Sequence, residues 1–87
     1  MKTHDVNGRE VEVGDAVRVL SIRSSVLDRL DADERIRVAG MQGLVLSVYE
    51  IDDWGGAWVS KAWATGEGMS ATHSLSLSPK EMEKVGN

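Results

Sequence analysis

The stretch Val11-Glu12-Val13-Gly14-Asp15-Ala16-Val17-Arg18-Val19-Leu20 restricts this chain more than any other. Apolar and polar residues alternate, the chain turns at Gly14-Asp15, and a β-branched run follows. Side chains two apart share one face of a strand, so the pattern belongs to a half-buried sheet. A second stretch, Leu75-Ser76-Leu77-Ser78-Pro79-Lys80-Glu81-Met82-Glu83-Lys84-Val85, leads a strand into a helix start. Ser78 supplies an N-cap, Pro79 stands at the first helical position and Glu81 at the third. Gly86 follows too soon for a long helix, so Met82 to Val85 reads either as its tail or as a closing strand. Together the two stretches predict a mainly β chain folded as a small closed barrel, one domain over residues 1–87.

The intervening sequence fits that expectation. Asn7-Gly8 between β-capable residues predicts a two-residue hairpin turn joining weak strands at 3–6 and 9–13, with residues 1–8 either frayed or a hairpin arm. Residues 16–22 form the first strong strand. Residues 24–40 do not alternate; Ser25, Leu27, Asp28 and Leu30 predict one helical turn inside a long loop. Loops of that length in small domains often carry function. Residues 44–51 are the longest β-prone run and the expected central strand. A turn at Asp52-Asp53, a strand at 57–63 and a hairpin loop at 65–68 come next. Residues 69–78 show the cleanest period of two, with Ser70, Thr72, Ser74, Ser76 and Ser78 on one face and Met69, Ala71, His73, Leu75 and Leu77 on the other.

Composition narrows the setting. A chain of 87 residues buries only about 60–65% of its unfolded surface, so the core is thin. Such domains outside the cell usually carry disulfides, and this one has no cysteine. A bacterial cytoplasm is the expected compartment. The N-terminus lacks the apolar segment of a signal peptide, and no run approaches the roughly 20 residues that span a bilayer. The net charge of −4 disfavours both nucleic acid and anionic membranes.

The order of Val13-Gly14-Asp15-Ala16-Val17-Arg18-Val19, Gly40-Met41-Gln42-Gly43-Leu44-Val45 and the segment from Ser78 to Val85 resembles the SH3-like small barrel. About five antiparallel strands, a long first loop and a helical turn before the last strand make up that pattern. Within it, the chain is similar to the electron-transport accessory group, which includes the ferredoxin–thioredoxin reductase variable chain, a small stromal subunit of photosystem I and the nitrile hydratase β-chain barrel. That resemblance implies a non-catalytic subunit docking on a larger protein. The Gly-x-x-Gly-x-Val piece also resembles KOW-type barrels, which implies nucleic-acid binding as an alternative. A barrel subunit of a multi-subunit enzyme is a third reading. The chain departs from the accessory group in its Trp-rich segment and in the loop 24–39.

No catalytic or metal motif rises above background. Two histidines and scattered carboxylates lack the convergent spacing of a metal site, and the serines alternate along a sheet face rather than standing beside a base. Neither an enzyme activity nor a cofactor is expected. His73 lies on the apolar face of its strand, where an imidazole is most simply held by backbone hydrogen bonds; a role in proton transfer or ligand contact is the alternative. The aromatic signal is Trp54, Trp58 and Trp63, with Tyr49 and no Phe. Trp58 and Trp63 differ by five and point to opposite faces of a strand, so one is expected to fill the core. Exposed Trp is enriched at interface hot spots and also stacks on bases or proline-rich peptides. Trp54, Trp58 and Tyr49, with Arg29, Arg35 and Arg37 from the long loop, are therefore the expected partner-binding residues.

Overall fold

Two strands dominate the architecture. A computed structural model describes residues 2–86, apart from the side chain of Thr65. In it, β6 (Ala57–Gly66) and β7 (Met69–Leu77) form a long antiparallel hairpin. Three short strands near the N-terminus come first: β1 (Lys2–His4), β2 (Glu10–Glu12) and β3 (Ala16–Val19). Helices α1 (Ser24–Leu27) and α2 (Ala32–Ala39) follow, then β4 (Val45–Ser47) and β5 (Glu50–Ile51) ahead of the hairpin. A single 3-10 turn (Pro79–Glu81) leads into β8 (Met82–Lys84). The described strands make three small antiparallel sheets, ordered β1-β2, β4-β3-β8 and β5-β6-β7. The all-β expectation holds.

The alternation seen in the sequence is what buries the core. Val17 and Val19 of β3, Val59 of β6, Leu75 and Leu77 of β7, and Met82 of β8 project into one apolar cluster. Their intervening neighbours Arg18, Ser60 and Ser74 stay exposed. Among the described residues no aromatic ring is fully buried, and the largest side chains that are belong to valine, leucine and methionine. The expected core tryptophan is therefore replaced by aliphatic packing, with Met41 fully buried and Trp63 only half-buried against the cluster.

The structure corrects several boundaries. The central run 44–51 is two strands, because Val48 donates its N–H back to Asp15 O at 2.9 Å while Tyr49 N–H turns to Trp58 O at 3.0 Å. The main chain thus changes sheets there. The loop 24–40 holds two helices rather than one turn. The second begins at Asp31, whose carboxylate accepts the Glu34 N–H at 2.9 Å, as an N-cap does. The hairpin loop shrinks to Glu67-Gly68, since β6 runs on to Gly66. Met82–Lys84 is a short last strand rather than a helical tail, antiparallel to β3.

The N-terminal hairpin also differs from the expected two-residue turn. His4 pairs with Glu10, leaving a five-residue loop that Asp5 organises. Its Oδ1 accepts the N–H groups of Asn7 (2.9 Å) and Arg9 (2.8 Å). Its Oδ2 accepts the Lys84 N–H at 2.7 Å, and the Val6 N–H reaches Met82 O at 3.0 Å. The hairpin is thereby fastened to β8, at the far end of the chain. Asp5 is only 3% exposed. Burial by itself would raise its pKa, but the N–H donors of Lys84, Arg9 and Asn7 and the Arg9 charge hold the carboxyl below its ordinary value.

Candidate functional site

The loop between β5 and β6 is built from Asp52-Asp53-Trp54-Gly55-Gly56, and Asp52 organises it. Asp52 N–H donates to Gly56 O at 3.0 Å, and Gly55 N–H donates to Asp52 O at 3.1 Å. The carboxylate Oδ1 accepts the N–H groups of Trp54 (3.0 Å) and Gly56 (2.8 Å). Its Oδ2 accepts the indole N–H of Trp58 at 3.1 Å. The Gly56 N–H contributes most to holding the Asp52 carboxyl below its ordinary pKa; Trp54 and Trp58 add to it against the effect of burial. Gly55 adopts φ 80°, a conformation that costs other residues roughly 1–2 kcal/mol. The result is a preorganised turn whose tip carries Trp54, 91% exposed.

Beside that ring lies a shallow concavity of about 240 Å³. It is lined by Asp52, Trp54, Gly55 and Gly56 of the loop, by Ser76, Ser78 and Pro79 from β7 and the turn after it, and by Arg23. Gly56 lets Ser76 and Asp52 close in on the main chain: a Cβ there would sit 2.4 Å from Ser76 Oγ and 2.6 Å from Asp52 Oδ2. Arg23 is placed by two contacts. Its Nη2 donates to Ser76 O at 3.3 Å, and its Nε lies 3.5 Å from Glu81 Oε2. Glu81 is itself fixed, since its Oε1 accepts the Ser78 N–H at 2.8 Å. The Ser78-Pro79 segment is thus tied to Glu81, and through Glu81 to Arg23. Such a hollow suits an extended segment with an apolar group against Trp54 and Pro79 and an acceptor for the outer face of Arg23.

The other expected partner-binding residues divide. Tyr49 is 48% exposed and shares a main-chain hydrogen bond with Trp58, whose half-buried ring is committed to Asp52. Arg35 is occupied: its Nε donates to Leu27 O and its Nη2 to Leu30 O, both at 3.1 Å. It ties the end of α1 to α2. Arg37 lies in the last turn of α2 and Arg29 in the exposed link between the helices. None of these three lines the concavity; the arginine that does is Arg23. Nothing in the sequence distinguishes Arg23 from the other arginines between residues 18 and 37.

His73 lies opposite Lys61 on β7. Its Nε2 is buried with no hydrogen-bond partner among the described residues, so that nitrogen does not make the expected backbone bond. The ring is placed by the edge of Trp63, with centroids 5.5 Å apart at 64°, and Lys61 Nζ lies 5.6 Å from the Trp63 centroid. Among the described residues no three His, Asp or Glu side chains gather as metal ligands would, and no helix is long and apolar enough to cross a membrane. Comparison with family models, curated proteins and solved structures found no match.

Proposed function

We propose that the chain is a non-catalytic interaction module, an SH3-like barrel acting in the cytoplasm as an accessory subunit that docks on a larger protein through loop 52–56. The long connection between β3 and β4 and the helical turn ahead of β8 support the SH3-like reading. One observation carries the functional reading: Trp54 is held out into solvent by a turn that the Asp52 main chain and carboxylate order through hydrogen bonds. A Trp side chain buries about 150–250 Å² when covered, and leaving it in water forgoes several kcal/mol at about 25 cal/mol per Å². Because the turn is already ordered, little conformational entropy is lost when a partner covers the ring.

Quantitative affinity capture from a lysate of the source organism tests this, using wild type, Trp54→Ala and Ile36→Ala. Ile36 is 72% exposed on α2 and controls for general stickiness. A partner retained by wild type and Ile36→Ala but lost with Trp54→Ala is the expected result. Equal recovery by all three removes the reading. The nucleic-acid alternative is less well supported, since the chain is acidic and Arg35 is engaged within the fold. Single-stranded oligonucleotide is expected to leave Trp fluorescence unquenched even at low salt.

A further inference from the structure

β7 is the outer strand of its sheet, and its free side lacks the usual protection. It runs for nine residues without Asp, Glu, Lys, Arg or Pro, although charged residues make up 28% of the chain. Sheet edges are normally guarded by charges, prolines, bulges or short length. The register shows which main-chain groups are open. Trp58 pairs with Glu50 and accepts the Tyr49 N–H, so its main chain faces β5. Its partner across the hairpin, Ser76, must then turn its own N–H and C=O away from β6, as must every second residue of an antiparallel ladder. Ser70, Thr72, Ser74 and Ser76 therefore direct these groups outward. Arg23 takes Ser76 O. Ser70, Thr72 and Ser74 are exposed, and among the described residues nothing outside the sheet bonds their main chain.

We propose that β7 pairs antiparallel with β7 of a second copy of this chain, about a twofold axis at Thr72. Thr72 then lies opposite its counterpart, and Ser70 lies opposite Ser74 of the second copy. Charge selects a second copy as the occupant. A strand with no charge sets no like charges against each other when it pairs with itself, and Thr–Thr and Ser–Ser pairs across strands are favourable. Such a twofold contact closes on itself. Other outer strands are shorter or charged: β4 has three residues, β5 has two, one of them Glu50, and β2 carries Glu10 and Glu12. The contact uses none of the residues that present Trp54.

Sedimentation velocity over rising concentration, up to about 1 mM at the weak end of specific association, tests the proposal. Thr72→Pro deletes an N–H that does not face β6, and edge strands accept proline there. Thr72→Lys sets two positive charges opposite each other at the axis. Wild type is expected to shift from monomer to dimer, and both variants to need at least about tenfold higher concentration while keeping the wild-type circular dichroism. Hydrogen exchange at Ser70, Thr72 and Ser74 should slow as the dimer fills. If Thr72→Pro does not fold, Thr72→Lys alone decides. A wild type monomeric across the whole range, or a dimer that Thr72→Lys leaves unchanged, overturns the proposal.

Discussion

The loops 5–9 and 52–56 share one set of hydrogen bonds and differ in what they hold. Each begins with Asp, whose N–H donates to the carbonyl four residues on. In each, Oδ1 accepts the N–H groups of the second and fourth following residues. Each places glycine fourth, with φ 79° at Gly8 and 80° at Gly55. The divergence starts at the other carboxylate oxygen. Asp5 Oδ2 takes the main-chain N–H of β8, so that loop joins the two ends of the chain. Asp52 Oδ2 takes the Trp58 indole, so the second loop steadies only its own neighbourhood and leaves Trp54 uncovered. One turn serves as a fastening and the other as a platform.

The largest effect is expected from removing the fastening. Asp5→Ala deletes three part-buried hydrogen bonds to a charged acceptor, a loss of about 3 kcal/mol. Urea titration measures it directly. Asp52→Ala should lower the midpoint less, while increasing the mobility of Trp54 in fluorescence anisotropy. A larger global loss from Asp52→Ala would reverse the assignment of the two loops.

Acid sharpens the same contrast. The carboxyls of Asp5 and Asp52 both titrate below their ordinary value of 3.8 in the folded chain. A depressed folded-state pKa gives stability that is complete above the ordinary value and is lost as pH falls through it toward the folded-state value. Denaturant titrations at about pH 6 and about pH 3 should show wild type losing stability, and Asp5→Asn losing less between those two conditions. Parallel slopes for the two proteins would remove Asp5 from the account.

Glycine substitution gives a smaller, matched pair. Gly8→Ala meets only the strain of positive φ, about 1–2 kcal/mol, since nothing lies near its added Cβ. Gly55→Ala meets the same strain and Thr3 Oγ1 at 3.3 Å, so its thermal midpoint should fall further. The smallest effect belongs to Trp54→Ala, which should change stability by no more than about 0.5 kcal/mol. A much larger loss would make Trp54 part of the scaffold.

Parts of this were legible in the sequence, and the limits have physical causes. Period-two runs at Val17-Arg18-Val19 and Met69 to Leu77 announced strands because each buries one face. The three tryptophans drew attention to the segment that carries the exposed Trp54. The turn at Asp52-Asp53 was legible, but Asp-x-x-Gly does not say which amides the carboxylate will accept, and Asn7-Gly8 suggested a tighter turn than the loop at 5–9. α2 escaped notice because a helix with one buried residue, Val38, writes almost no periodicity. Arg23 and Pro79 meet Trp54 only through the fold, by way of Ser76 and Glu81.

The two matched loops also supply the most direct test. Asn7 and Trp54 occupy the same position in their turns, so a photo-crosslinking residue placed at 7 or at 54 samples the same backbone geometry on two surfaces. Irradiation in cells should give one discrete protein adduct from position 54 and none from position 7. Equal labelling from both positions, or none from position 54, would contradict the account.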